Sequence, residues 1–148
     1  MKKQNRVLQA RVMDEIFTKM PGNNAAIAPY YAGDFLTMYE SNKDLRFVYP
    51  KEGVNVFVDS VCVPSNSKNY EAAMMFINFL LEPEVALANA EYICYASPHT
   101  AVVNNDRYSL KDNEILYPKK KVKEQYYHNI DPEIRSYYEK LWEEVLLS

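Results

Sequence analysis

The chain has 148 residues, 48% of them hydrophobic, which is enough to fill the core of one domain or of a large piece of one. A formal net charge of -3 argues against a nucleic-acid binder, whose footprint is basic, and accords with a cationic ligand. No apolar run reaches the length of a membrane span. The start, Met1-Lys2-Lys3-Gln4-Asn5-Arg6, is basic but lacks the apolar stretch of a secretory signal, so the chain is either cytosolic or a piece of a longer one. Its thirteen tyrosines favour places where one end of a ring is dry and the other wet.

Met13, Ile16, Phe17 and Met20 recur at the spacing of an amphipathic helix, which Pro21-Gly22-Asn23-Asn24 stops. Ala25-Ala26-Ile27-Ala28 reads as a short buried strand entering Pro29-Tyr30-Tyr31-Ala32-Gly33-Asp34, with Asp34 the N-cap of a helix over Phe35–Tyr39. Loops where a strand meets a helix are where α/β folds collect ligand groups. Tyr30 and Tyr31 stand at such a place, and at least one of them is read as ordinary packing because neighbours in a strand face opposite ways. Ser41-Asn42-Lys43-Asp44 is a polar loop, and Arg46-Phe47-Val48-Tyr49 a short strand.

The stretch from Tyr49 to Pro64 organises the chain. It opens on the turn signal Pro50-Lys51-Glu52-Gly53 and closes on Pro64, which has no amide hydrogen for a ladder. The β-branched run between them reads as a largely buried strand. Alternation puts Val54, Val56, Val58, Ser60 and Cys62 on one face, and Asn55, Phe57, Asp59, Val61 and Val63 on the other. Phe57 and Asp59 then stand about 7 Å apart on that face. A carboxylate there is costly to bury without a partner. Two readings stand: Asp59 bonds nearby amides while Phe57 packs in a core, or the two form an aromatic wall and an anionic anchor for a cation.

Cys62 shares the valine face and reads as a buried, inert thiol; a bridge to Cys94 stays open, since spacing alone does not set Cα separation. Cys62, Cys94, His99 and His128 lack the paired spacings of a structural zinc site, and no signature supports a cysteine nucleophile. After Pro64, the polar loop Ser65–Asn69 leads to a helix carrying Ala73, Phe76, Ile77 and Leu80 on one stripe. Glu82-Pro83-Glu84 begins a second helix that ends near Ile93, with proline where its missing N–H costs nothing. Cys94-Tyr95-Ala96-Ser97-Pro98 is a tight connection with one exposed aromatic.

Residues 99–130 read as irregular. Lys119-Lys120-Lys121-Val122-Lys123 is the single charge run, read as a solvated face with a docking patch as the other option. Asp131-Pro132-Glu133 starts a helix whose apolar stripe is Ile134, Tyr138, Leu141, Trp142 and Val145, with Trp142 expected in the core. No repeat, glycine-rich phosphate loop, metal-ligand cluster or close carboxylate pair is present, so no catalytic residue, metal or cofactor is expected.

Ala28–Asp34, Tyr49–Pro64, the helix pair Tyr70–Ile93, Tyr95-Ala96-Ser97-Pro98 and Tyr127-His128-Asn129 come in an order and spacing that resembles the C-terminal part of the spermidine/putrescine-binding proteins of bacterial ABC importers. The resemblance implies an α/β, periplasmic-binding-protein-like (type II) two-lobed fold, of which residues 1–148 are a C-terminal fragment. It implies that roughly 1–57 and 101–148 belong to the second lobe and 58–100 to the first. It also implies a polyamine held between aromatic rings and carboxylates, where rings supply dry contact and cation–π attraction together.

Carried over by position, Phe57 and Tyr31 stand where the family often has tryptophan, Asp59 matches its ammonium-binding aspartate, and Tyr95 matches a family tyrosine. His128 stands where a glutamine serves; a neutral imidazole accepts from an ammonium, and a protonated one repels it. The implied partners are spermidine or putrescine and the permease subunits of the importer, at an extracytoplasmic location anchored through an upstream segment. The same fold serving another small cationic solute is the nearest rival, and a free-standing tyrosine-rich interaction module the second. A lone fragment with open strand edges is expected to self-associate.

Overall fold

In the computed structural model, which describes residues 1–147, short helices pack around two small clusters and one narrow ladder. After a 3-10 turn at Lys2–Arg6 come α1 (Ile16–Lys19), α2 (Ala32–Ser41), β1 (Val54–Val56), α3 (Tyr70–Leu80), α4 (Pro83–Ile93), α5 (Thr100–Val103), β2 (Glu124–Tyr126) and α6 (Pro132–Leu146). No helix among the described residues is long and apolar enough to cross a membrane.

β1 and β2 pair in parallel, Val54 with Glu124, Asn55 with Gln125 and Val56 with Tyr126. Gly53 makes the entry feasible. Its φ is +120°, and a Cβ there would lie 2.7 Å from the Lys123 carbonyl oxygen, the same oxygen that accepts from the Val54 amide at 2.9 Å. The long strand expected up to Val63 stops at Val56 instead, because β2 is the one neighbour the described residues supply. Beyond it the backbone runs on without a ladder, and Val58, Asp59, Val61 and Cys62 are exposed. Cys62 is therefore not a buried thiol, and it is unbridged, as is Cys94.

The helices that open on proline form where the sequence places them. Pro83 begins α4, and Cys94 ends it in the left-handed region at φ 57°. Asp131 caps α6 by accepting from the Glu133 amide at 2.9 Å. Leu87 and Ala90 of α4, Val102 of α5, and Tyr108 form the buried core, flanked by Ala86, Leu110 and Tyr117. The Tyr108 and Tyr117 hydroxyls meet at 3.2 Å, and Tyr117 accepts from the Ser97 amide at 2.8 Å, so the core ties 86–90 and 97 to 102–117. A second cluster runs along α2. Phe35 packs on Phe47 (centroids 5.3 Å), Phe47 on Tyr49 (5.1 Å), and the Tyr49 hydroxyl donates to the Ile115 carbonyl.

Several local expectations give way. The helix expected from Met13 shrinks to the single turn of α1, with Ile16 buried and Met13 in solvent. Neither Ala25–Ala28 nor Arg46–Tyr49 forms a strand, since no ladder partner lies beside them, and Ile27 is 89% exposed. Helix α2 starts at Ala32, so Tyr31 is the N-cap and Asp34 lies inside the first turn. The stripes of α3 and α6 hold no buried residue; Trp142 is 44% exposed, under the Arg11 guanidinium at 5.7 Å. In the lysine run, Lys119 pairs with Glu114 at 3.2 Å, and Lys120, Lys121 and Lys123 are exposed.

Candidate functional site

The wall of the site is a row of rings. Tyr31 caps α2 with an extended backbone (φ -80°, ψ 149°), which turns its side chain out of the helix. Phe57 is the first residue past β1. The Tyr31 and Phe57 rings meet edge to face, centroids 5.2 Å apart. The row continues through Tyr30, 5.4 Å from Tyr31, to Phe17, 5.6 Å further on. Tyr31 and Phe57 remain 37% and 48% exposed, so apolar surface is left open for a ligand.

Tyr95 enters from the connection after α4 and packs against Gly33 in the first turn of α2. A Cβ built at Gly33 would be 2.2 Å from Cδ2 of Tyr95, a distance no side chain tolerates. Its hydroxyl is close enough to the carboxylate of Asp34 for each group to shift the titration of the other. Burial, then the bond to Asp34 and its charge, push the Tyr95 phenol far above its ordinary range, with Tyr31 and Asp59 adding to the rise. Burial likewise raises Asp34, against the lowering by Tyr95. Burial raises the Tyr30 phenol as well, followed by the charges of Asp34 and Asp14 and by Tyr31.

Asp59 is thus close enough to Tyr95 for its charge to act on the phenol, while standing exposed. Among the described residues no hydrogen bond or ion pair engages its carboxylate, so the expected burial against backbone amides does not occur. The chain leaves β1 before reaching Asp59, which frees it from any ladder. Four of the five candidate residues, Tyr31, Phe57, Asp59 and Tyr95, come together. His128 does not join them by any contact. It is exposed, two residues beyond Tyr126, and the parallel pairing brings it to the same end of the ladder as Phe57. Tyr95 is half-buried, contrary to its expected exposure, because the missing side chain at Gly33 lets its ring approach α2 closely.

Gly33 is a residue that sequence reasoning passed over, and Asp34 one that it read as a helix cap. The signal was present: a glycine inside the first turn of a helix lowers its stability, and such a residue marks a close approach by another group. Among the described residues no group of three or more His, Cys, Asp or Glu side chains is arranged to hold a metal ion.

Comparison with known proteins gives this arrangement its relatives. The spermidine/putrescine-binding periplasmic protein of Salmonella typhimurium is 37% identical over 86 residues, which are 58% of this chain and 25% of that protein. The putrescine-binding periplasmic protein PotF of Escherichia coli is 27% identical over 105 residues, covering 67% of this chain and 28% of PotF. The crystal structure of the spermidine/putrescine ABC transporter substrate-binding protein PotD from Streptococcus pneumoniae superposes with a TM-score of 0.74 at 32% identity, over 90% of this chain and 42% of PotD. The matched region therefore spans about a quarter of the length of the curated relatives. The fold is that of the type II periplasmic binding proteins. Residues 1–117 match the family of bacterial extracellular solute-binding proteins, and the chain belongs to that family.

Proposed function

We propose that this chain supplies one wall of the polyamine cleft of an extracytoplasmic receptor that delivers spermidine or putrescine to an ABC importer. The observation that carries the reading is the cluster of Tyr31 and Phe57 rings, 5.2 Å apart, beside the unpaired carboxylate of Asp59 and the Tyr95 phenol. A polyamine alternates ammonium groups with short methylene links. The links want ring faces, and each ammonium wants an anion or acceptor; the cluster offers both within a few residues. The names of the relatives, which bind putrescine or spermidine, point the same way.

On this reading Tyr31, Phe57, Asp59 and Tyr95 contact the ligand, and His128 closes the cleft from the end of β2. Residues 1–57 and 101–148 form the second lobe and 58–100 part of the first, with Asn55–Asp59 at the crossover where the lobes hinge. The permease subunits of the importer are the protein partners.

Titration of the chain with putrescine and spermidine, against glycine and glucose, tests the assignment. Binding of the two polyamines alone is expected, weaker than in a complete two-lobed cleft because one wall does not exclude water. In a complete two-lobed receptor, whose closed cleft excludes water, Asp59→Asn should weaken it by about 2–5 kcal/mol, the loss seen when one partner of a desolvated charge pair is removed. Identical dissociation constants for the two proteins would overturn the role of Asp59. A preference for some other small cation would keep the cleft and reassign its ligand.

A further inference from the structure

Tyr95 owes its place in the cluster to a connection that packing alone does not hold. Helix α4 ends at Cys94 in the left-handed region, and the segment from Cys94 to Pro98 carries the Tyr95 ring to Gly33 of α2. Beside that segment lies an open groove of about 210 Å³, lined by Leu81, Ala86, Ile93, Tyr95, Pro98 and His99. A side chain facing a groove forfeits van der Waals partners there, so hydrogen bonds must fix the backbone instead. The near end is held by the Cys94 amide on the Ala90 carbonyl, and the far end by Nε2 of His99 at the Leu81 carbonyl, 3.0 Å away. Among the described residues no hydrogen bond engages the Tyr95 and Ala96 amides. The Ser97 amide, however, donates to the Tyr117 hydroxyl at 2.8 Å.

We propose that Tyr117 is a positioning residue: its hydroxyl grips the Ser97 amide and thereby places the Tyr95 ring against Gly33, two residues from Tyr31. A phenol has one proton and two lone pairs, and one lone pair of Tyr117 takes the Ser97 proton. What remains is turned to the Tyr108 hydroxyl, 3.2 Å away, whose own ring is 2% exposed in the core. Tyr108 shares that contact but holds nothing of the connection itself. The buried core and the aromatic wall are thus joined across the connection by a single acceptor. Without it both rings are still present, but the segment that carries Tyr95 is tied only at its two ends. The ligand half of this inference rests on the polyamine reading; the positioning half does not.

The experiment has two arms on the full chain. The first follows the Gly33 α-protons by NMR. An aromatic ring pressed against them displaces their resonance, and Tyr95→Leu marks the position without the ring. Tyr117→Phe, which keeps its own ring and deletes the acceptor, should move them most of the way there. Tyr108→Phe, which leaves Tyr117 free to accept from Ser97, should lower the urea midpoint and leave Gly33 in place. An unmoved Gly33 in folded Tyr117→Phe overturns the proposal whatever the ligand is, and so does an equal displacement in Tyr108→Phe. If Tyr117→Phe does not fold, hydrogen exchange in the wild type decides. The Ser97 amide should then exchange about tenfold more slowly than those of Tyr95 and Ala96, the protection of one hydrogen bond, and equal rates overturn the grip.

The second arm measures putrescine binding by NMR titration in the wild type, Tyr117→Phe, Tyr95→Leu, the double variant and Tyr108→Phe. Tyr117→Phe should weaken putrescine about tenfold, the size of one contact to a charged group, and Tyr108→Phe should bind as the wild type does once folded. The double variant should be no weaker than Tyr95→Leu alone, since Tyr117 acts through Tyr95 and has nothing left to place. Losses that add overturn the route through Tyr95. A chain that binds no putrescine while Gly33 responds as expected in the first arm keeps the positioning and overturns the polyamine reading.

Discussion

Asp34 holds its proton more readily in the folded chain than a free aspartate does, because burial outweighs the help that Tyr95 gives its ionised form. The folded state then binds more protons than the unfolded state in a window that opens near the ordinary value of 3.8 and closes above the raised one. In that window stability falls as pH rises: the contribution is present below it and lost above it. Asp34→Asn removes the term. Urea midpoints of the two proteins, taken from pH 3 to 7, should therefore diverge in favour of the variant as pH climbs; parallel curves would contradict the raised value. Legibility at this scale follows chemistry that can be read locally. Phe57 and Asp59 were placed together by strand alternation; the Phe57 ring meets Tyr31, and the charge of Asp59 reaches the Tyr95 phenol. Asp34 was taken for a helix cap, since a carboxylate before Phe35 fits that role. Its contact with Tyr95 joins residues about sixty positions apart, which no local pattern encodes.

Among the elements, α4 packs into the core, with α5 beside it. Leu87 is 8% exposed and packs with Ala90, Val102 and Tyr108, so Leu87→Ala should cost about 2–5 kcal/mol. Helix α6 is the opposite case. Its stripe lies open and Trp142 is 44% exposed beneath the Arg11 guanidinium, so Trp142→Ala should cost only about 1 kcal/mol. Urea denaturation of both variants checks the contrast, and equal losses would show that α6 is packed as tightly as α4. The starts of α4 and α6 were readable because Pro83 and Pro132 act on their own backbone. The extent of β1 was not. A run of valines states a preference for a sheet, but each further rung needs a neighbouring strand, and past Val56 none is there among the described residues. The stripes of α3 and α6 were read correctly as helical periodicity and wrongly as burial, since periodicity names a face without naming what covers it.

For the whole molecule, the open apolar side chains are the dominant fact. Val58, Val61, Phe76, Phe79, Ile134 and Leu141 are all exposed, along segments 57–63, α3 and α6. Apolar surface on this scale gathers partners, and here the partner at hand is another copy. Gel filtration with light scattering at tens of micromolar should give dimers or larger species; a monodisperse monomer would show that these faces are closed in solution. The sheet sets a further condition. Its register joins Val54 to Glu124, so three rungs must repay the closure of a loop seventy residues long. Contacts so distant in sequence form late and open early. Deuterium should therefore reach the Val54 amide, bonded to Lys123, well before the amides of α4 that surround Leu87. Each such opening lets Phe57 drift from Tyr31, and the time the two rings spend together is then set by how long those three rungs stay closed.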